Sequence, residues 1–169
     1  MIITKPVVYW IEGPWPGKLA ILARPRGGDW LGGEVEGWKE AGVDVVVSLL
    51  TSGEDAELGL ADEAEIVRLN GLTYVGFPTG DYSVPGSRLR TQQLSSELND
   101  RLSRGACVGI HCRQGIGRSS LIAACVLVTS GESPKNAFEH IEAARGVSVP
   151  DTAEQKEWVI SFAHGLRED

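Results

Sequence analysis

Cys112 and Arg118 are separated by Arg113-Gln114-Gly115-Ile116-Gly117, a short stretch with a glycine at its centre and another at its end. Ahead of it, the apolar run Ala106 to Ile110 reads as a buried strand, and behind it Ser119 to Val128 reads as a strongly apolar helix. A strand, a glycine-bearing loop and a helix start together suit the binding of an oxyanion. Glycines let successive backbone N–H groups turn toward one centre, and the helix start adds unpaired donors and the positive end of its dipole. Arg118 adds a planar fork that can hold two oxygens of one phosphate. The same field favours the thiolate form of Cys112. A nucleophile would then lie at the bottom of a cup shaped for a tetrahedral dianion, with Arg113, Gln114, Gly115, Ile116, Gly117 and Arg118 supplying the phosphate-binding amides. These residue types in this order can attack the phosphorus of an ester.

Such an attack needs a proton for the departing oxygen. The loop Pro78-Thr79-Gly80-Asp81-Tyr82-Ser83-Val84-Pro85-Gly86 carries one acidic residue, Asp81, which is the candidate general acid. The competing reading is an aspartate that holds a turn through its own backbone. Around this core, Ser119 either donates its hydroxyl to the departing thiolate or is an ordinary first-turn serine. His111 is adjacent to Cys112, so on a strand its side chain points to the other face, and a role in fixing the loop is expected. No cofactor and no metal is expected: His111, His140 and His164 are scattered, without cysteines or acids at ligand spacing.

The run His111-Cys112-x5-Arg118-Ser119 resembles the signature of the cysteine-dependent protein tyrosine phosphatases. Gly115-Ile116-Gly117-Arg118-Ser119-Ser120-Leu121-Ile122-Ala123-Ala124-Cys125 is similar to their dual-specificity branch, and Phe77-Pro78-x-x-Asp81-x-x-x-Pro85 resembles its mobile general-acid loop. Arg145-Gly146-x-x-x-Pro150-Asp151-Thr152-x-x-Gln155 resembles the segment whose glutamine positions the hydrolytic water, which implies that role for Gln155. The resemblance extends roughly from Asp29 to Phe162. It implies hydrolysis of phosphotyrosine, and of phosphoserine or phosphothreonine, in a protein or peptide substrate through a cysteinyl-phosphate intermediate. Two alternatives stay open. Members acting on inositol phosphates or phosphoinositides also carry basic residues in this loop, usually more than the single Arg113 found here, and Ile116 stands where some of them are basic. The other is an inactive phosphate-reading module, against which the joint presence of Asp81, Cys112 and Arg118 counts.

Cys107 and Cys125 either trap an oxidised Cys112 as a disulfide or are small buried hydrophobes on the strand and helix. Three cysteines without a framework spacing suggest a reducing compartment, no basic start leads into an apolar leader, and Leu121 to Val128 is too short to cross a bilayer. A cytoplasmic location without membrane insertion is therefore expected. A net charge of −7 disfavours nucleic acid as a partner. Arg88, Arg90, Arg101, Arg104, Arg113 and Arg118 cluster in the middle of the chain, and Glu54, Asp55, Glu57, Asp62, Glu63 and Glu65 read as a solvated helix face, with a partner-binding surface as the alternative.

The elements that must position this chemistry follow from pattern and punctuation. Val7 to Ile11 and Lys18 to Ala23 suggest a hairpin or edge strands about a Pro/Gly turn. Asp29 is expected to cap a helix with Trp30, Leu31, Val35 and Trp38 on one face. Val43 to Leu50 is a strand buried on both faces, as in a parallel sheet. Ala56 to Asn70 reads as a helix broken near Gly59, Leu72 to Phe77 as a strand, and Ser87 to Arg104 as a helix with Leu89, Leu94, Leu98 and Leu102 inward. Ser133-Pro134 opens a helix reaching about Arg145. Pro150-Asp151-Thr152-Ala153-Glu154 opens the last one, with Asp151 as its cap and not as a second acid. The expected fold is a single α/β domain over residues 1–169, a short, mainly parallel central sheet flanked by helices, with the C-terminal third helical.

Overall fold

The β-branched and apolar runs form a five-stranded sheet in the computed structural model, which describes residues 2–168. The strands are β1 (Val8–Ile11), β2 (Leu19–Leu22), β3 (Val45–Ser48), β4 (Thr73–Gly76) and β5 (Val108–His111), in spatial order β1-β2-β5-β3-β4. The first two form an antiparallel hairpin; β2, β5, β3 and β4 run parallel. The strand that leads to Cys112 is thus the middle one, and its C-terminal end lies beside those of β3 and β4, where parallel sheets hold their ligands. The α/β expectation holds.

Among the described residues seven α-helices cover the sheet: α1 (Leu31–Glu40), α2 (Ser52–Leu58), α3 (Glu63–Leu69), α4 (Arg88–Ser103), α5 (Arg118–Thr129), α6 (Pro134–Arg145) and α7 (Ala153–Glu168). Strand alternation divides the core into two layers. Val45, Val47, Leu49, Val108, Ile110 and, past the end of its strand, Cys112 join α4 to α7; Leu22, Val46 and Trp38 form the other layer with α1 and α3. Gly109 faces this second layer, where a Cβ would lie 2.6 Å from the Leu22 side chain, so the glycine leaves room for Leu22 of the neighbouring strand to lie over β5. Helix α5 is buried continuously from Arg118 to Val128. Each of its large aliphatic side chains contributes about 1.5–3 kcal/mol through burial, which makes the helix behind the loop a rigid support.

The helix ends follow local chemistry. Thr51 accepts a hydrogen bond from Glu54 N while Glu54 reaches back to Thr51 N, a reciprocal cap that starts α2, and Gly59 stops it at φ 71°. Ser133 caps α6 ahead of Pro134, and Gly146 ends that helix. Three expectations are corrected. Asp29 caps nothing, because the chain enters α1 through a 3-10 turn at Gly28–Trp30, and Trp30 stays 52% exposed with the Arg26 guanidinium 4.0 Å above its ring. Leu89 lies outside the buried stripe of α4, which is formed by Thr91, Leu94, Ser95, Leu98 and Leu102. The cap of α7 is Thr152, one residue later than expected: Thr152 Oγ1 accepts from Gln155 N, and Thr152 N donates to Gln155 Oε1. The sequence Asp151-Thr152-Ala153-Glu154-Gln155 offers two overlapping registers of the same cap, and the backbone takes the second. Among the described residues no helix is long and apolar enough to cross a membrane.

Candidate active site

Cys112 directly follows β5 and is 3% exposed. The loop behind it turns through Gly115 at φ 71°, and the Gly115 N–H donates to Cys112 Sγ at 3.3 Å. Arg145, at the end of α6, holds the loop from outside. Its Nε donates to Gly115 O at 2.9 Å and its Nη2 to Gln114 O at 3.1 Å, while its guanidinium stacks 4.3 Å from the Tyr9 ring centroid. In a trans peptide the carbonyl and the following N–H point in opposite directions. Drawing the carbonyls of Gln114 and Gly115 toward Arg145 therefore turns the N–H groups of Gly115 and Ile116 the other way, the first of them onto the sulfur. The Ile116 side chain packs against the core, and the buried Gly117 leads into α5. Arg145 lay outside the expected site residues; its signal was an arginine at the end of a helix, just before the Gly146 stop.

Arg118 is 2% exposed, with a fully engaged guanidinium. Nη1 donates to Glu54 Oε1 at 2.7 Å, Thr79 O at 2.8 Å and Leu49 O at 3.4 Å; Nη2 donates to Glu54 Oε2 at 3.0 Å and Asp81 Oδ1 at 3.1 Å. Three segments thus converge on one cation: the ends of β3 and β4 through carbonyls, and α2 through a bidentate carboxylate. Glu54 and Glu63 overturn the reading of the acidic run as a solvated face. Glu54 sits against Arg118, and Glu63 is buried against His111, with His111 Nε2 2.6 Å from Glu63 Oε2. The reciprocal cap at Thr51 explains Glu54: it fixes the first turn of α2 so that this carboxylate points at the arginine.

The hydrogen bond from Arg118 holds the Glu54 carboxyl well below its ordinary 4.5, at about 2, with Thr51 assisting and burial opposing. A carboxyl whose pKa falls on folding stabilises the fold fully above its unfolded value and loses that contribution as pH drops through the folded one. The stability difference between wild type and Glu54→Gln is therefore expected to be largest near neutral pH and to shrink between about pH 4.5 and 2. Urea midpoints measured across that range check this; a difference independent of pH would remove the pairing from the account.

The other sequence candidates are distributed as follows. His111 lies on the opposite face from Cys112, buried, with its ring stacked 5.8 Å from that of Trp38. Ser119 is buried and its hydroxyl has no partner among the described residues. Arg113 turns outward to Glu57 at 3.0 Å and Glu54 at 3.5 Å. Gln114 is exposed on the loop. Asp81 stands on the loop after β4, where its Oδ1 also accepts from Tyr82 N at 3.1 Å, and Tyr82 takes a left-handed φ of 56°. Gln155 is fully buried, not a surface glutamine, and its Nε2 donates to Ser83 O on the Asp81 loop at 3.1 Å. Of the middle-chain arginines, Arg88 instead reaches Ser161 on α7 and Arg101 pairs with Glu97.

All three cysteines are free thiols. Cys107 sits at the far end of β5 from Cys112, roughly 16 Å away along an extended chain, well beyond disulfide reach. Burial pushes the Cys125 thiol up, which makes it an inert apolar filler.

Comparison with known proteins adds to this geometry. The rat protein named cyclin-dependent kinase inhibitor 3 is 27% identical over 137 residues, covering 79% of this chain and 63% of that protein, so the chain spans less than two thirds of this curated relative. A crystal structure of kinase associated phosphatase, with a serine in place of its catalytic site cysteine, shares the fold at a TM-score of 0.88 and 21% identity over 98% of both chains. Tk-PTP in its active form matches at a TM-score of 0.76 and 23% identity, covering 95% of this chain and 99% of that one. Residues 24–132, more than half of the chain, match the family model described as polymorphic toxin system, DSP-PTPase phosphatase. The resemblance read from the loop is borne out: the chain belongs to the DSP-PTPase family of phosphatases.

Proposed function

We propose that the chain hydrolyses phosphomonoesters on tyrosine, and on serine or threonine, in proteins, without a metal and through a phosphocysteine at Cys112. The observation that carries this reading is the Gly115 N–H donating to Cys112 Sγ at 3.3 Å in a loop closed by Arg118. In the first step the Cys112 thiolate forms the S–P bond and the ester P–O bond breaks. Asp81 gives its proton to the departing oxygen, while the loop amides and Arg118 hold the equatorial oxygens. A phosphate that engages Arg118 Nη2 takes the place of the Asp81 carboxylate, which frees Asp81 for the leaving group. In the second step water displaces sulfur and phosphate departs. Ser119 is suited to donate to the thiolate that re-forms, and Gln155 to orient the water.

The rim favours phosphoproteins over inositol polyphosphates, because Arg113, the only other cation in the loop, is already paired with Glu57 and Glu54. A reducing compartment such as the cytoplasm suits a thiol nucleophile. The test is release of phenolate from aryl phosphates in the presence of a chelator, with orthovanadate as inhibitor; no turnover, or turnover only with added metal, would contradict the proposal. Asp81→Asn is expected to lose about 10²-fold or more with phenyl phosphate and far less with p-nitrophenyl phosphate, whose phenolate leaves unaided. Equal losses on both would take the acid role from Asp81.

A further inference from the structure

Glu63 and His111 form a buried polar pair that the chemistry above does not use. Their side chains are 1% and 0% exposed, and His111 Nε2 lies 2.6 Å from Glu63 Oε2. The other atom of each group, Glu63 Oε1 and His111 Nδ1, has no partner among the described residues. The pair borders the layer of Leu22, Trp38, Val46 and Val67, with the His111 ring stacked on that of Trp38. Polar groups buried with a single hydrogen bond between them cost stability, and apolar side chains of similar size would serve the fold there as well or better. Such a pair in an apolar layer points to a role in the site.

The place of the pair in the sheet supplies that role. The ladder between β5 and β2 ends at Ile110, and that between β5 and β3 at His111, where Leu49 N donates to His111 O at 3.0 Å. His111 is thus the last residue the ladder holds before the chain leaves for the phosphate loop, and the next residue is Cys112. We propose that Glu63 is a positioning residue for the nucleophile: it holds the His111 ring on the face of the sheet opposite the cup, fixes the peptide from which Cys112 starts, and so keeps the sulfur beneath the Gly115 N–H; this rests on the phosphatase reading above. The build of α3 suits the task. Glu63 and Val67, four residues apart, are the buried residues of that helix, so the face that seats α3 in the apolar layer also aims the carboxyl group at His111. The run from Glu54 to Glu63 then grips the strand-loop-helix unit at two points, Arg118 from the start of α2 and His111 from the start of α3.

Glu63→Met keeps the length of the side chain and removes its polar group. It is expected to unfold near the wild-type urea midpoint, yet to lose about 10–10²-fold in kcat/KM with p-nitrophenyl phosphate, the cost of a small displacement of the nucleophile. Alkylation of the Cys112 peptide by iodoacetamide, which reports the thiolate that the loop holds, should slow in parallel. Glu63→Gln can still bond to Nε2 and should recover most of both. Val35→Ala, a cavity in the same layer, should lower the urea midpoint and change neither readout. Wild-type values in Glu63→Met, equal losses in Glu63→Gln and Glu63→Met, or losses in Val35→Ala as large as those in Glu63→Met would each overturn the proposal. If Glu63→Met does not fold, Glu63→Asp, a methylene too short for Nε2, carries the test: both readouts should fall, and wild-type values would overturn it. Alkylation needs no turnover, so an inert wild type whose Cys112 reactivity still depends on Glu63 would remove the phosphatase reading alone.

Discussion

Replacing Cys112 by serine is expected to reduce aryl-phosphate hydrolysis on the order of 10⁵-fold while vanadate and phosphate still bind. The size follows from chemistry. A serine hydroxyl in the same place is almost entirely protonated at neutral pH and is a far weaker nucleophile than a thiol. Retention of binding follows from geometry. The loop amides are aimed by Arg145, and Arg118 by Glu54, Leu49 O and Thr79 O, none of which involves sulfur. Steady-state rates together with isothermal titration of orthovanadate check both halves. A serine variant that neither turns over nor binds would mean that the sulfur organises the loop and does not merely react in it.

Arg118→Ala is expected to combine the second-largest loss of activity with a loss of stability. Removing a guanidinium that stabilises phosphoryl charge lowers kcat/KM by roughly 10³-fold or more. The same change leaves Glu54, whose side chain is 11% exposed, with only Arg113 at 3.5 Å as a cation, and breaking one side of a buried pair costs up to about 3–5 kcal/mol. A second substitution separates the two effects. Arg118→Ala with Glu54→Gln removes both charges and should regain much of the stability and none of the activity, a non-additivity expected of contacting residues. Arg118→Lys should also fail as an enzyme, because one ammonium cannot grip both Glu54 oxygens, two carbonyls and a phosphate. If the double variant is no more stable than Arg118→Ala alone, the Glu54 pair does not hold the arginine as described.

Much of this centre is legible in the linear chain, for identifiable reasons. Cys112, the loop glycines and Arg118 lie within one strand-loop-helix unit, where local rules on strands, turns and helix starts suffice. The alternation that sends Ile110 and Cys112 to one layer and His111 to the other is equally local. What escaped lies at crossings between distant segments. Glu54 looks like one charge among many on an exposed helix, and only the meeting of the Thr51-capped start of α2 with the start of α5 pairs it with Arg118. Glu63 is hidden in the same acidic run and, from the start of α3, meets His111 on the face of the sheet that α1 and α3 cover. Arg145 acts on the loop through backbone carbonyls, which leave no side-chain pattern to detect. Asp151 reads as a cap because two registers of one cap overlap in sequence; the backbone adopts the one in which Thr152 and Gln155 cap each other, with Gln155 also reaching Ser83 O. Leu89 and Trp30 show the converse error, apolar residues at the edge of a stripe that periodicity carries inward and the helix ends leave outside.

The central claim is a covalent bond between Cys112 and phosphorus. Acid quenching during turnover of a phosphorus-labelled aryl phosphate, followed by peptide mapping, tests it most directly. The label is predicted on the peptide that contains Cys112, appearing and decaying at rates that account for turnover, and absent from Cys112→Ser. Steady turnover with no labelled cysteine, or with the label on another residue, would contradict the account.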